Sequence, residues 1–243
     1  MLLLALALPI ALSAQAEFDV TSIKENAAPG DGDSLRFMPS GGVEARHFPA
    51  WNLITLAHQI QGYQLIGAPE WAREAYYDVS AKPAEKAPRE QIFKMMQAML
   101  VDRFKLAYHR ENRQLDGFAL VRVRRDGLGP NMHASQFDCE KNFAASPQCR
   151  IGGITATTFK ANGAPVWSLL QVIIGRVSAP VSDDTGLTAT YDIELNWSND
   201  VAPTGDVPTM FTALQEQLGL KLERRRVDTD VFVVDRFERP TLD

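Results

Sequence analysis

The chain has few cysteines and histidines and no excess of positive charge. Its 243 residues include 2 cysteines and 4 histidines, and 25 lysines and arginines stand against 30 aspartates and glutamates, for a net charge of −5. Proteins bind nucleic acids and anionic membranes largely through an excess of positive charge on the protein. The charge balance therefore argues against both, and we predict no nucleic-acid partner.

The motifs of common catalytic and cofactor sites are missing from the sequence. It contains no G-x-S-x-G elbow, no H-E-x-x-H pair, no glycine-rich phosphate loop and no G-x-G-x-x-G after a strand. The four histidines, His47, His58, His109 and His133, are far apart along the chain. We therefore predict no catalytic residues, no metal and no cofactor, and we favour a non-enzymatic protein.

One pair of neighbouring carboxylates keeps a catalytic alternative open. Asp183 and Asp184 begin a D-D-T-G string, which is typical of a turn where an Asp side chain binds nearby N–H groups and Gly adopts a positive φ. The alternative function is a hydrolase of envelope polymers. In that hypothesis, one of these two aspartates and one of the first three histidines form the acid–base pair.

Long apolar runs are also missing, except at the start of the chain. Leu2–Leu12 is almost entirely apolar, but it is shorter than the roughly 20 residues that a membrane-spanning helix needs. Ala14 and Ala16 follow with the A-x-A spacing of a cleavage site. We predict a signal peptide at residues 1–16, cleavage near Ala16, and a periplasmic or extracellular mature chain without a transmembrane segment. A buried N-terminal helix is the alternative.

The two cysteines fit an exported protein. Cys139 and Cys149 lie in residues 124–150, a loop-like stretch rich in Gly, Asn, Ser and Pro. An oxidising compartment favours a disulfide between them. Free thiols remain an alternative, whereas a metal or thiol-nucleophile site has less support because neither cysteine belongs to a C-x-x-C pair.

The sequence contains an internal repeat. With an offset of 114, residues 77–122 match residues 191–236 without a gap at nine identical positions. The identical pairs are Tyr77/Tyr191, Asp78/Asp192, Met96/Met210, Leu100/Leu214, Leu106/Leu220, Arg110/Arg224, Asp116/Asp230, Phe118/Phe232 and Arg122/Arg236. We predict a first repeat at residues 17–123, a linker loop with the disulfide at 124–150 and a second repeat at 151–243. Coincidence is the alternative explanation.

Hydrophobic periodicity places the same elements in both repeats. An amphipathic helix follows Pro49 in the first repeat and Pro165 in the second. The other predicted elements are a leading strand (18–24), two alternating strands (77–81 and 191–197), two second helices (89–102 and 209–218) and two hairpins (105–110 with 118–123, and 220–225 with 231–237). The pattern predicts an α+β fold, a tandem duplication of a small strand-helix-strand-helix-hairpin unit. We expect antiparallel sheets with helices packed on one face.

Four aromatic residues are candidates for a binding surface. Tyr63, Trp71, Tyr76 and Tyr77 surround a Gly-Ala-Pro-Glu string and have few periodic apolar neighbours. Trp and Tyr are enriched at recognition surfaces. The hypothesis is that they bind an envelope protein or peptide, and packing in the core is the alternative.

Several strings together resemble one known family. These are F-D-V-T-S-I-K after the signal peptide, G-A-P-E-W followed by Y-D-V, L-V-D-R-F-K-L, D-T-G-L-T before Y-D, and L-Q-E-Q-L-G-L-K-L-E. The chain is similar to the exported "soil-associated" family of unknown function. Members of that family also occur fused to membrane metallopeptidases of the antibiotic-sensor type. The resemblance implies no catalytic residues, because the family has none assigned.

A weaker similarity concerns the fold alone. The order of helix, short strand, helix and hairpin resembles the small periplasmic domains that precede secretins and TonB-dependent receptors. Those domains bind protein partners, which favours a binding or sensing module. Fold analogy does not fix function.

Overall fold

The computed structural model describes residues 17–27, 33–125, 127–139, 149, 153–198 and 208–243. The signal peptide predicted at 1–16 and most of the segment between the two cysteines lie outside the described residues. The chain divides into two units, one of residues 1–111 with 231–243, the other of residues 112–230.

An antiparallel sheet of four strands is the base of the first unit. The strands are β1 (Val20–Glu25), β2 (Ser34–Phe37), β3 (Val43–Pro49) and β5 (Tyr76–Lys82), in the order β1-β5-β3-β2. A short strand β4 (Leu65–Ile66) lies outside this sheet. Burial alternates along β5, with Tyr77, Val79 and Ala81 buried. This period of two is the expected consequence of a sheet with one covered face.

Helices of the first unit contribute to the same core. They are α1 (Ala50–His58), α2 (Trp71–Glu74) and α3 (Arg89–Phe104). Pro49, which cannot donate a main-chain hydrogen bond, directly precedes α1, and Pro88 precedes α3. Both helices end at a residue of left-handed conformation, Gln59 and Lys105. The predicted positions of these helices are confirmed.

The second unit has its own four-stranded antiparallel sheet. Its strands are β7 (Met132–Ala134), β8 (Gly153–Ile154), β9 (Thr158–Pro165) and β11 (Thr190–Asn196), in the order β7-β11-β9-β8. The other elements are α4 (Val166–Val177), β10 (Val181–Asp183), α5 (Met210–Ala213) and a π-helical turn (Leu214–Leu218) that ends at Gly219. Phe159, Leu169, Ile173 and Trp197 are buried in its core.

Two long strands replace the hairpins predicted from the sequence. These strands are β6 (Ala107–Arg122) and β12 (Leu220–Arg236), and the third sheet has the order β10-β6-β12-β4. The prediction of hairpins was wrong, because β6 and β12 each run as one strand through the residues where a loop was predicted. Leu106, directly before β6, and Phe232 of β12 pack in the core of the first unit. Leu120 of β6 and Leu220 of β12 pack in the core of the second.

The fold class is confirmed as α+β. The sheets are largely antiparallel; the pairs β10/β6 and β12/β4 are parallel. The predicted disulfide is also confirmed, since Cys139 and Cys149 are bonded with their Cα atoms 5.0 Å apart. Within the described part of the chain, no helix combines the length and apolar character that crossing a bilayer requires.

Candidate binding groove

A groove of about 1070 Å³ lies in the first unit. Its lining includes Phe18, which precedes β1, Thr21 of β1, and residues on the outer face of α3. Met95 and Met99 are buried but reach the groove, and Val101 is 51 % exposed beside them. Methionine side chains are flexible and polarisable, so such a surface adapts to ligands of different shape.

The sequence of α3 explains why its apolar residues appear on two faces. Ile92, Met96, Leu100 and Phe104 recur at helical spacing and are buried in the core. Val101 follows Leu100 by one residue, about 100° around the helix, and therefore faces solvent. An exposed valine beside two methionines makes this outer face more apolar than a solvated helix face needs to be.

The outer edge of β1 is occupied by the chain itself. β1 is the first strand of its sheet and pairs only with β5 among the described strands. The main-chain N–H of Ile23 donates to Oδ2 of Asp243 at 2.9 Å, and the N–H of Asp243 donates to the carbonyl of Ile23 at 3.3 Å. Both main-chain groups of Ile23 therefore point away from β5, while its side chain is buried in the core.

Arg103 completes the contact with Asp243. Its Nη2 donates to Oδ1 of Asp243 at 2.7 Å and to the carbonyl of Thr241 at 2.8 Å. The N–H of Ile23 and then the guanidinium of Arg103 hold the pKa of Asp243 below its usual value. The carboxylate is thus bound as an anion. Arg103 and Thr21 also line the groove, so this contact lies at one side of it.

Two of the four aromatic candidates pack against the core of the first unit. Tyr77 is buried and meets Phe104 edge to face at 5.6 Å between ring centroids. Trp71 stacks on Phe237 at 5.0 Å, and the guanidinium of Arg239 lies 5.2 Å from its ring. In these contacts the rings pack against other side chains of the protein. A ligand-binding role for Tyr77 and Trp71 stays a prediction.

The other two candidates are partly exposed. Tyr76 stacks on the ring of His47 at 4.1 Å, and Nδ1 of His47 lies 3.2 Å from Oδ1 of Asp33. Tyr63 is half-buried, and burial raises the pKa of its hydroxyl. The aromatic contacts of Tyr76, Trp71 and Tyr77 are all with residues outside the candidate set. None of the four is among the residues that line the groove.

The carboxylates of the hydrolase alternative have structural partners. Oδ1 of Asp183 accepts hydrogen bonds from the N–H and the hydroxyl of Thr185, at 2.9 and 2.7 Å. Asp184 forms an ion pair with Arg225. Gly186 has a φ of 67°. The string forms the type of turn that its sequence predicts.

The histidines have different surroundings. Nδ1 of His109 lies 2.9 Å from Oδ1 of Asp235 on an exposed surface. His58 is buried against Tyr108 and Phe232, and its Nε2 has no hydrogen-bond partner in the described structure. Burial, and then the charge of Arg110, lower the pKa of His58 to about 4. A neutral imidazole is therefore expected at physiological pH.

The second unit has a smaller groove of about 410 Å³. It lies beside the short edge strand β8, and its lining includes Ile154 and the 55 %-exposed ring of Trp167. The ring of Trp197 nearby is buried, with the guanidinium of Arg176 5.5 Å from its centre. This groove is mostly apolar and carries fewer polar groups than the first.

Sequence reasoning missed Ile23, Arg103 and Asp243. Their contacts join residues 140 and 220 positions apart. A single arginine in a helix and a single aspartate far along the chain are ordinary surface residues by sequence. No local pattern would have identified them.

The fold and this groove define an α+β protein of two units with a sheet edge beside an open concavity. Residues 51–237 match the family described as "Protein of unknown function (DUF3738)", and the chain belongs to that family. The prediction of an uncharacterised family is thereby confirmed. The chain matches no curated protein and no solved structure.

Proposed function

We propose that this protein is an exported, non-enzymatic binding or sensing module of the cell envelope, which holds an extended segment of a partner protein along β1. The observation that carries the proposal is the groove of about 1070 Å³ that contains Thr21 of β1 on one side and Val101 of α3 on the other. Such a segment would pair with the main chain of the edge strand and place its side chains against α3. Added strands of this kind are a common mode of peptide recognition.

The direction of the main-chain groups supports this mode of binding. The N–H and carbonyl of Ile23 point outward from the sheet, as their bonds to Asp243 demonstrate. Because main-chain direction alternates along a strand, the same groups of Thr21 and Glu25 face the same side. Thr21 lies in the groove. Main-chain bonds would supply affinity there, and the methionine and valine side chains of α3 would supply selectivity.

Export is supported by two features. The apolar Leu2–Leu12 run with the A-x-A string has the layout of a signal peptide. The bonded cysteines suit an oxidising compartment such as the periplasm. The resemblance to partner-binding periplasmic domains before secretins and TonB-dependent receptors points the same way.

A duplicated unit is part of the proposal. Both antiparallel sheets have one order when their strands are numbered along the chain: first, fourth, third, second. In both units the third strand ends at a proline, Pro49 or Pro165, and a helix follows directly. The parallel pairs Leu65/Phe232 and Val181/Phe118 also correspond, because Phe118 and Phe232 are identical residues at the repeat offset. These likenesses support two copies of one ancestral unit.

The boundaries between the two units fall inside the long strands β6 and β12. Residues 112–122 of β6 belong to the second unit, and residues 231–236 of β12 belong to the first. With repeats at 17–123 and 151–243, each repeat would supply the end of its long strand to the other unit. A single repeat would then lack part of a core, because Phe232 belongs to the core of the first unit.

Site-specific cross-linking tests the binding proposal. A benzophenone amino acid replaces Val101 in the groove, and in a matched variant it replaces Val123, an exposed valine outside the groove. Light should join a partner segment to position 101 and not to position 123. The cross-linked partner sequence, made as a peptide, should bind the purified protein and shift the amide resonance of Thr21. Equal products at both positions, or a peptide that leaves Thr21 unchanged, would refute the proposal.

A reporter fusion tests export. Residues 1–24 are joined to a phosphatase that is active only outside the cytoplasm, and in a second fusion Leu6 and Leu8 are replaced by arginine. The first fusion should be active and the second at least tenfold less so, because arginine disrupts the apolar run of a signal peptide. Similar activity from both fusions would contradict export through this segment.

A further inference from the structure

We infer that residues 241–243 are a displaceable latch on the partner site, and that the partner segment carries one acidic side chain that replaces Asp243 on Arg103. The inference rests on the proposed function, and it names the chemistry of the partner: an extended peptide with a carboxylate. The receptor for that carboxylate is the guanidinium of Arg103 together with the outward N–H of Ile23. In the structure Asp243 occupies both.

The receptor is built into the fold. The side chain of Arg103 is 19 % exposed, whereas that of Asp243 is 41 % exposed. Arg103 lies in the last turn of α3, and the carbonyl of the fully buried Phe104 accepts a hydrogen bond from the N–H of Glu238 at 2.8 Å. Ile23 is fixed by its buried side chain and by the β1/β5 ladder. The main chain that carries both groups is therefore held by the fold and not by the latch.

The latch is held by polar contacts at an exposed surface. Thr241, Leu242 and Asp243 are exposed, and the side chain of Leu242 is 47 % exposed, whereas Pro240 before them is buried. The described bonds of this segment go to Ile23 and Arg103. Release thus breaks these bonds and moves Thr241, Leu242 and Asp243, none of which is buried. No buried side chain of this segment has to leave a core, which makes the latch easy to displace.

The neighbouring charges explain why one acidic side chain is expected and not several. Lys94 and Lys105 also line the groove, but they form ion pairs with Glu90 and Asp102 of the same helix region. Asp102 itself lines the groove, as does Glu17. These carboxylates would repel a polyacidic segment. Arg103 differs from the lysines because its carboxylate partner belongs to the latch.

Displacement of the latch predicts a measurable competition. The attached latch acts at the high effective concentration of an intramolecular ligand. A peptide in solution therefore meets a site that is free for only a fraction of the time, and its apparent affinity falls by that fraction. Removal of the latch should restore the affinity.

A peptide titration followed by NMR tests the inference. The probe is acetyl-Arg-Pro-Thr-Leu-Asp-amide, which carries the sequence of residues 239–243 and no terminal carboxylate; its control ends in Asn. The proteins are the chain from Glu17 to Asp243 and the same chain without residues 241–243. The shortened protein should show saturable shifts at the Thr21 and Ile23 amides. Its affinity for the probe should be at least tenfold higher than that of the full chain and at least tenfold higher than its own affinity for the Asn peptide.

Variants of the shortened protein separate recognition from folding. Arg103→Gln should abolish the shifts, and Lys86→Ala, which removes an exposed charge outside the groove, should leave them unchanged. An unchanged amide spectrum elsewhere establishes that each variant is folded. Where shortening unfolds the protein, Asp243→Asn in the full chain replaces it and should raise the affinity for the Asp peptide. The inference is overturned if both peptides bind alike, if the full chain binds as tightly, or if Arg103→Gln binds normally.

The two proposals fail in different ways. A partner cross-linked at position 101 whose capture is unaffected by Asp243→Asn and by Arg103→Gln would overturn the latch and leave the binding function standing. Failure of the cross-link together with failure of the peptide titration would overturn both.

Discussion

Asp192 accepts a hydrogen bond through Oδ1 from the main-chain N–H of Gly163 at 2.8 Å, where β9 bulges against β11. In the first unit, Oδ1 of Asp78 accepts from the N–H of His47 at 2.9 Å, where β3 bulges against β5. Gly163 and His47 both have positive φ, 57° and 47°. A carboxylate on the neighbouring strand thus binds the main chain of each bulge, and a left-handed residue is needed there.

The bulge in the second unit predicts that Gly163→Ala is strongly destabilising. A Cβ at this position would lie 2.8 Å from Sγ of Cys139 and 2.8 Å from the carbonyl oxygen of Phe137, in addition to the strain of positive φ. The free energy of unfolding should fall by about 2–4 kcal/mol, measured by chemical denaturation. Gly175→Ala in α4 is the control, because its Cβ would meet no atom within 4 Å. That variant should be stabilised by about 0.5–1 kcal/mol; equal effects of the two changes would contradict the argument.

The buried His58 predicts a loss of stability in mild acid. Its pKa is about 4 in the folded protein, against about 6.5 in the unfolded chain. The unfolded state therefore binds more protons between these values, so the free energy of unfolding should fall as pH decreases from 6.5 to 4 and this contribution should be constant outside that window. The total loss is about 3 kcal/mol at 1.36 kcal/mol per pKa unit. Urea denaturation at a series of pH values measures it.

His58→Gln is the matched variant for the pH measurement. Glutamine does not titrate, so the difference in stability between the two proteins should change across the window from pH 6.5 to 4. A constant difference over that range would mean that His58 binds its proton as readily in the folded protein as in the unfolded chain.

The stability of the first unit should depend on the end of β12, although β12 is far along the chain from the other elements of that unit. Phe232 is fully buried against His58 and Tyr108. Phe232→Ala should lower the free energy of unfolding by about 3–5 kcal/mol. Phe211→Ala, which removes a phenylalanine that is 41 % exposed, should have a much smaller effect. Hydrogen exchange should locate the loss from Phe232→Ala in α1 and β5; protection unchanged there would be evidence against this core.

The disulfide predicts a redox-dependent stability. Cys139 and Cys149 close a loop with a sequence separation of 10. In the chain-entropy model, a loop of this size contributes about 3 kcal/mol. Reduction with dithiothreitol should lower the free energy of unfolding by about that amount. The variant with both cysteines replaced by serine should be unaffected by the reductant, and a similar response of both proteins would place the effect elsewhere.

The sequence predicted the helices better than the connections between strands. The stripes after Pro49 and Pro165 identified α1 and α4, because a helix that buries one face leaves a period of 3.6 in the local sequence. The alternation in β5 and β11 was equally local. The hairpins failed because polar residues separate the apolar residues 106–108 from 118–121, and this pattern resembles two strands joined by a turn. The structure places Leu106 and Leu120 in two different cores.

The candidate site, like the connections between strands, was not predictable from local sequence. The aromatic candidates were chosen from their closeness in sequence, and Tyr77 proved to be part of a core. The groove instead depends on Thr21, Val101 and Arg103, from two elements distant in the chain.

The sequence alone determined the α+β class, the positions of the main helices and strands, and the pairing of the two cysteines, since each leaves a local or compositional mark. Tertiary structure decided that β6 and β12 run on without a turn, and it brought Asp243 to Ile23 and Arg103. Contacts across 220 and 140 residues have no periodicity that local sequence could display.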